Sequence, residues 1–385
     1  MNRIYLDNAA TTPLSPEVLK AMMPFLMGHY GNASSIHDTG RDARRAIDEA
    51  RKQVAGFIGA KPNEVYFTSG GTESDNWALK GVAYANRNKG NHIITSAIEH
   101  PAVLETAKWL ETQGFGVTYL PAGANGILSL EDVEKAITNR TILISIMAAN
   151  NEIGTLQPVA AIGALARAHK IPFHTDAVQA AGAIRIDVNA WQADLLSLSG
   201  HKFHGPKGMG VLYVRSGTRM MPLLHGGAQE RNRRAGTENV AGIVGLGQAA
   251  QNAGMFIEEN AEKITRLRNR LIDGILSTIS HVRLNGDRGS RLPNNANLSF
   301  RYIEGEALLL HLDLNGIAAS SGSACASGSL EPSHVLLSIG LDAEDAHSSL
   351  RFTLSEATTE DEINTVLALL PGIVDKLRAM SPLAS

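Results

Sequence analysis

The sequence predicts an α/β fold: a large domain built on a mostly parallel sheet, of the seven-stranded type and flanked by helices, with a smaller α+β domain beside it. Between residues 64 and 214, short apolar runs typical of buried strands alternate with segments of helical spacing. A long amphipathic segment, Met255 to Ser280, ends this alternation, and short strands mixed with helices follow it. We therefore predict a large domain over residues 15–255 and a small domain formed by residues 1–14 and 256–385.

Each strand of the large domain is predicted from a short apolar run, and most of these runs lead through a loop into a helix. The predicted strands are Glu64–Thr68, His92–Ser96, Val117–Leu120, Thr141–Met147, Ile171–Thr175, Asp194–Ser199 and Gly210–Val214. The predicted helices are Pro16–Met27, Ala43–Phe57, one that starts near Asp75, Pro101–Gln113, one that begins at Ser129–Asp132, and Ala160–His169. The small domain is predicted to contain strands at Arg3–Leu6, Val282–Leu284, Asn297–Phe300 and Leu350–Leu354, and a last helix begun by the capping box Thr359–Glu362.

Composition excludes several classes of protein. The formal net charge of -3 gives no reason to expect nucleic acid or an anionic membrane as a partner. Asp7 interrupts any apolar run of the signal-peptide type at the N-terminus. The longest apolar runs are far shorter than the roughly 20 residues of a membrane helix, so we expect a cytoplasmic protein. Cys325 is the single cysteine of the sequence, which rules out an internal disulfide and a cysteine-based metal cluster.

Lys202 lies in a Gly-flanked turn at the end of the apolar run Leu195–Leu198. Most lysines are ordinary surface residues. In open α/β sheets, however, ligands bind at the carboxyl ends of the strands, and an amine partly desolvated there can form a Schiff base with an aldehyde. The question is whether other strand ends bring matching chemistry to Lys202.

Two of these strand ends suit a phosphate group. The turn Ser69–Ser74, which contains Gly71 and Thr72, enters a helix whose free N–H groups favour an anion. It lacks the Gly-Lys-Ser/Thr ending of a nucleotide P-loop, and by itself it is more often a structural turn. Ser199 and His201 add donors beside Lys202. His201 and His204 are a weak zinc signal without a third ligand, and we predict no metal.

Two further strand ends suit an aromatic ring. His100 follows Glu99 and could stack on a planar ring. Without the other motifs, a histidine at this position would indicate only an ordinary polar loop residue. Asp176 follows a buried strand, where it is either a helix N-cap or the partner of a protonated pyridine nitrogen. Gln179 could donate to a phenolic oxygen. A lysine, a pyridinium acid, a stacking residue and a phosphate cradle together are what pyridoxal 5'-phosphate (PLP) requires.

Six motifs in this order resemble those of the cysteine desulfurases, a class V aminotransferase-like group of the fold type I PLP enzymes. They are Tyr5–Pro13, Thr68–Ser74, Asn150–Gly154, Ser199–Lys202, Arg234–Asn239 and Ser321–Cys325. The resemblance covers nearly the whole chain. The Ser-Gly-Ser-Ala-Cys loop resembles the branch that supplies sulfur for iron–sulfur clusters, either nitrogenase-associated or housekeeping.

The resemblance implies a role for each matching residue. Lys202 would hold PLP covalently and His100 would stack on its ring and help move protons. Asp176 and Gln179 would contact the pyridine nitrogen and the phenolate oxygen, and Asn151 and Arg351 would bind the substrate carboxylate. The phosphate would be held by Gly71, Thr72, Ser199 and His201 and, from the neighbouring subunit, by Thr237, which implies a homodimer. Cys325 would take sulfur from L-cysteine as a persulfide, release L-alanine and pass the sulfur to an iron–sulfur scaffold or another acceptor protein.

Other functions remain open from the sequence alone. An aminotransferase or a selenocysteine lyase on the same fold would keep Lys202 and Asp176 without needing Cys325. An inactive subunit that holds PLP and serves as an assembly partner is a second alternative, against which the intact Lys202, His100 and Cys325 argue. A thiol hydrolase pairing Cys325 with His334 is a third, and it leaves the phosphate cradle unexplained. Free cysteines are often inert core residues, but the Gly, Ser and Ala neighbours of Cys325 favour an exposed, reactive thiol.

Overall fold

Strands and helices alternate through the first part of the chain in the computed structural model, which describes residues 3–321 and 331–381. The strands are β1 (Ile4–Tyr5), β2 (Val65–Thr68), β3 (His92–Ser96), β4 (Gly116–Leu120), β5 (Thr141–Ser145), β6 (Phe173–Asp176), β7 (Leu195–Ser199), β8 (Gly210–Val214), β9 (Val282–Leu284), β10 (Asn295–Phe300), β11 (Ile317–Ala318) and β12 (Ser349–Thr353). The helices are α1 (Pro16–Met27), α2 (Asp38–Ile58), α3 (Gly71–Ala85), α4 (Pro101–Thr112), α5 (Leu130–Ala136), α6 (Val159–Ala168), α7 (Gln229–Asn232), α8 (Val240–Met255), α9 (Ile257–Thr278), α10 (Gly305–Leu314), α11 (His334–Ser338), α12 (Ala343–His347) and α13 (Glu360–Met380).

The largest sheet of the described residues has seven strands in the order β2-β8-β7-β6-β5-β3-β4. Within this sheet β8 runs antiparallel to both of its neighbours, and the remaining pairs are parallel. The predicted α/β fold with a mostly parallel sheet is therefore confirmed. Because the strands other than β8 share one direction, their carboxyl ends meet at the same edge of the sheet.

The later part of the chain forms two smaller sheets. β9, β10 and β12 make an antiparallel sheet, and β1 pairs in parallel with β11. Side chains of α9, β10, β12 and α13 form one apolar cluster that also takes in Leu6 from the N-terminus. A separate cluster is drawn from residues between Val18 and Ala250. The division into a domain of residues 15–255 and one of residues 1–14 and 256–385 stays a prediction.

The sequence predicts one helix over Met255–Ser280, whereas the structure has α9 there and a further helix, α8, directly before it. Helix α8 was missed because it is rich in glycine and alanine and has no clear polar face. The glycines have a packing reason: a Cβ on Gly247 would lie 2.7 Å from the Cα of Ala50 on α2. Helix α3 also begins at Gly71 rather than near Asp75, which brings its N-terminus to the sheet edge.

None of the helices in the described ranges combines the length and the apolar composition needed to cross a membrane.

The predicted capping box of α13 is present: Thr359 accepts from the backbone N–H of Glu362, and the Glu362 side chain accepts from that of Thr359. We expect Thr359→Ala to lower the free energy of unfolding by about 1 kcal/mol, since it removes a helix N-cap. Thr365→Ala is the matched control, because Thr365 lies exposed inside the same helix, where alanine is the better helix former. Denaturant unfolding measures both, and equal stability of the two variants would contradict the capping argument.

Candidate active site

A cavity of about 390 Å³ lies where the parallel strands end. It brings together these residues predicted from the sequence: Gly71, Thr72, His100, Asn151, Asp176, Gln179, Ser199, His201, Lys202 and Arg351. Thr237 is exposed and is not among the residues that line this cavity. Cys325 lies outside the described residues.

Lys202 ends a short 3₁₀ turn that follows β7 directly. Its Nζ donates to the carbonyl oxygens of Ala9, at 2.5 Å, and Ala10, at 2.9 Å. The N-terminal segment therefore crosses the sheet edge and orients the lysine. Sequence reasoning missed this use of two backbone carbonyls, although the motif Tyr5–Pro13 that contains them was a signal.

Asp176 is the last residue of β6 and is 6% exposed. Its Oδ1 accepts a hydrogen bond from the N–H of Val178 at 2.9 Å. Burial raises the pKa of Asp176 to about 6, although this hydrogen bond and the charge of Lys202 act to lower it. No helix begins directly after Asp176, since residues 178–183 form turns, so Asp176 caps a turn rather than a helix.

His100 is the N-cap of α4, and its Nδ1 accepts from the N–H of Ala102 at 3.1 Å. Burial, together with the charges of Lys202 and His334, lowers the pKa of His100 to about 4. The ring is therefore neutral near neutral pH. Because Nδ1 accepts a hydrogen bond, the ring proton is assigned to Nε2.

The N-terminus of α3 and the end of β7 form one wall of the cavity. The N-cap residue of α3 is Gly70, which has no side chain to cap the helix. A Cβ on Gly71 would lie 2.8 Å from Cγ2 of Val178, so this approach requires glycine. Ser199 and His201 line the same cavity, and burial lowers the pKa of His201 to about 4. Such an uncapped helix N-terminus favours an anion.

Arg351 on β12 is 2% exposed and lines the cavity together with Asn151. Its Nη1 donates to the carbonyl of Asn151 at 2.9 Å, and its Nη2 pairs with Oδ1 of Asp7 at 3.0 Å. The Nε of Arg351 is buried and has no hydrogen-bond partner in the described part of the chain. A buried donor without a partner suits the carboxylate of a bound ligand.

Buried acidic groups lie at and behind the cavity, and the sequence analysis assigned them no role. Asp75 on α3 lines the cavity, and burial together with the charge of Asp176 raises its pKa well above the ordinary range. Glu99 is fully buried, and its Oε1 accepts from Ser96 at 2.6 Å and from the N–H of Met147 at 3.0 Å. Burial raises the pKa of Glu99 to about 8. For Glu99 the available signal was its position just after a predicted buried strand, whereas Asp75 lies among polar residues that gave no such signal.

His201 and His204, the weak metal signal, make separate contacts. His204 Nε2 lies 2.9 Å from Glu356, and His201 Nδ1 lies 3.2 Å from the hydroxyl of Thr11. Among residues 3–321 and 331–381, no group of three His, Cys, Asp or Glu side chains is arranged to hold a metal ion.

The sequence matches the protein-family model described as aminotransferase class-V over residues 4–366. It is 57% identical over 380 residues to the cysteine desulfurase IscS of Methanosarcina thermophila, a match that covers 99% of this chain and 94% of that protein. It is 55% identical to the cysteine desulfurase IscS of Clostridium botulinum strain Hall, with 100% and 97% covered. A solved structure described as a NifS-like protein superposes with a TM-score of 0.92 at 39% identity, covering 97% of this chain and all of that one. A second, described as SspA in complex with cysteine, has a TM-score of 0.83 at 39% identity, with 92% and 100% covered.

Since Glu99 is buried with a pKa of about 8, the folded protein keeps a proton that the unfolded chain releases near the ordinary pKa of 4.5. Its contribution to stability is therefore fully present below the unfolded pKa and is lost as pH rises to about 8. Glutamine cannot ionise, so we expect the stability of Glu99→Gln to fall less between about pH 5 and about pH 8 than that of the wild type, by about 1 kcal/mol per pH unit.

Denaturant unfolding across this pH range measures the difference. Glu105→Gln is the matched control, because Glu105 is an exposed glutamate on α4, and we expect it to follow the wild type. A wild-type slope in Glu99→Gln as well would show that Glu99 does not hold a proton in the folded protein.

Proposed function

We propose that this chain, which belongs to the class-V aminotransferase family and within it to the cysteine desulfurases, uses PLP to convert L-cysteine to L-alanine and carries the released sulfur as a persulfide on Cys325. The observation that carries the proposal is the single cavity in which Lys202, Asp176, His100 and Arg351 meet at the strand ends. The roles of the individual residues below are part of the proposal.

The walls of the cavity fit PLP at both of its ends. The buried carboxylate of Asp176 suits a protonated pyridine nitrogen, since a buried anion needs a cationic partner. The N-terminus of α3 at Gly71, with Thr72, Ser199 and His201 on the same cavity, suits the phosphate. Gln179 donates one amide N–H to Ala9, and its second N–H suits the phenolate oxygen.

When bound, PLP supplies an electron sink for the negative charge that forms at the α-carbon of the substrate. Lys202, held toward the carbonyls of Ala9 and Ala10, would hold the cofactor, and its Nζ would remove the α-proton of cysteine. Asp176 would stay ionised and stabilise the positive charge of the protonated pyridine nitrogen. His100, neutral and with its proton on Nε2, is the second group able to move a proton within the cavity.

Arg351 and Asn151 hold the substrate carboxylate in this proposal. The position of Arg351 on the cavity wall supports the assignment, since a guanidinium group binds a carboxylate well. The backbone contact from Arg351 Nη1 to Asn151 keeps the two residues together, and the ion pair with Asp7 fixes the guanidinium plane. The substrate is thereby oriented with its α-carbon toward Lys202.

Ser320, which precedes Cys325 in the sequence, is anchored close to this carboxylate site. Ser320 and Arg351 exchange two backbone hydrogen bonds, at 2.7 and 3.2 Å. Cys325 follows Ser320 by five residues, a length of chain that reaches at most about 18 Å. Its thiolate attacks the substrate sulfur: an S–S bond forms, the C–S bond of the substrate breaks, and the electron pair of that bond remains on carbon, where a proton completes alanine.

The outer sulfur of the persulfide is then transferred to a nucleophile of an iron–sulfur scaffold or another sulfur-acceptor protein: the S–S bond breaks, and Cys325 leaves as its thiolate. A cysteine that cycles between thiol and persulfide needs a reducing compartment, which supports a cytoplasmic enzyme. Thr237, exposed and outside the cavity lining of its own chain, contacts the phosphate of the neighbouring subunit in a homodimer.

Cys325→Ala tests the sulfur-transfer step. We expect it to keep bound PLP, measured by visible absorbance, but to form neither alanine nor sulfide from L-cysteine in the presence of a thiol reductant. The wild type is expected to form the two products in equal amounts. Alanine at the wild-type rate from Cys325→Ala would favour a lyase that needs no thiol, such as a selenocysteine lyase. No alanine from PLP-loaded wild type would leave an aminotransferase or an inactive partner subunit.

Subunit mixing tests the role of Thr237. Lys202→Ala and Thr237→Ala proteins are each expected to lose most activity, since one lacks the amine and the other a phosphate donor. If Thr237 serves the neighbouring subunit, the mixed dimer has one complete site, and an equal mixture should recover about a quarter of wild-type activity after subunit exchange. Recovery of none would mean that Thr237 acts within its own chain or that the chains do not form this dimer.

A further inference from the structure

Helix α11 begins with two side chains that reach back to the loops of the active-site cavity. The hydroxyl of Ser333 donates to Oε2 of Glu152, the residue that follows Asn151. The Nε2 of His334 donates to the backbone carbonyl of Glu99 at 3.0 Å, and Glu99 directly precedes His100. The start of α11 is thus bonded to the loop that carries His100 and to the loop that carries Asn151.

The contact between Ser333 and Glu152 is buried. Ser333 and Glu152 are 5% and 4% exposed. Ser333 is also the N-cap of α11 and accepts from the N–H of Leu336, so its hydroxyl proton is directed to Glu152. The N–H of Glu152 is in turn bonded to Oδ1 of Asn150, at 2.8 Å.

An apolar cluster joins α11 to the same two loops. Val335 and Leu336 on α11 are fully buried and belong to one cluster with Ile98, Met147 and Ile153. Ile98 lies in the loop that leads to His100, and Met147 and Ile153 lie on either side of Asn151. Packing and hydrogen bonds therefore place the start of α11 at one position relative to His100 and Asn151.

We propose that Ser333 and His334 are positioning residues for sulfur transfer: they fix the start of α11, which follows Cys325 in the sequence, relative to His100 and Asn151. The inference rests on the proposed function, in which Cys325 accepts the sulfur. Cys325 precedes Ser333 by eight residues, so the place of this helix start limits the positions from which the thiol can approach the substrate.

The two side chains act on the transfer step rather than on binding. Neither is among the residues that line the cavity, and their partners are the carbonyl of Glu99 and the carboxylate of Glu152. Loss of either contact leaves Lys202, Asp176 and Arg351 with their own partners. The rate of persulfide formation should therefore fall while the binding of PLP and cysteine is kept.

The test compares Ser333→Gly and His334→Phe with two matched variants. Glycine is nearly as good an N-cap as serine, so Ser333→Gly removes the contact with Glu152 while α11 keeps its start. His334→Gln restores an N–H donor near the position of Nε2. Ser338→Ala removes a hydroxyl from the same helix, where it donates to the carbonyl of His334. Melting temperature verifies folding of each variant.

PLP content, the absorbance change on adding L-cysteine, steady-state kinetics and single-turnover persulfide on Cys325 are measured for each holoenzyme. For Ser333→Gly and His334→Phe we expect kcat and the rate of persulfide formation to fall about tenfold, with KM for cysteine within about twofold of the wild type. His334→Gln should recover most of the rate, and Ser338→Ala should match the wild type.

Wild-type persulfide formation in both variants would overturn the proposal, as would an equal loss of PLP or of cysteine binding, which indicates general damage to the site. Cys325→Ser separates this failure from failure of the proposed function. If Cys325→Ser forms alanine at the wild-type rate, the thiol mechanism is wrong and the positioning proposal falls with it. If Cys325→Ser is inactive while Ser333→Gly and His334→Phe transfer sulfur normally, only the positioning proposal is wrong.

Discussion

The burial of Asp176 is the constraint on which the rest of the site depends. A carboxylate at the end of a central strand loses its hydration, and the protein compensates only partly, through one backbone N–H and the charge of Lys202. A further cation against Asp176 would therefore be stabilised, and the proposed function gives this place to a protonated pyridine ring. His100 and His201 are neutral and add no positive charge to that of Lys202 and Arg351 on the same cavity.

The N-terminal segment contacts two residues of the cavity, Lys202 and Arg351, that lie far from it in sequence. Its backbone carbonyls at Ala9 and Ala10 hold Lys202, and its Asp7 side chain holds Arg351. The same segment contributes Leu6 to the apolar cluster of α9 and α13. The lysine and the arginine, which come from distant parts of the chain, are therefore positioned by one short stretch of polypeptide.

The sequence was enough to predict which residues line the cavity when their chemistry and their position at the end of a strand both indicated it. Lys202, Asp176 and Ser199 follow buried apolar runs, and parallel strands bring such ends together. The fold followed from the same alternation. The sequence could not reveal groups that act through the backbone, such as the carbonyls of Ala9 and Ala10, because any residue has a carbonyl. Helix α8 was missed because its glycines serve close packing against α2, which becomes visible only in three dimensions.

The pairing of Ser320 with Arg351 through backbone atoms separates two tasks that one residue performs. The side chain of Arg351 lines the cavity, while its peptide group pairs with Ser320, which precedes Cys325 by five residues. Backbone pairing is indifferent to side-chain identity. In the proposed function, a change of the Arg351 side chain would therefore alter the contact with the substrate carboxylate and leave the backbone pairing with Ser320 in place.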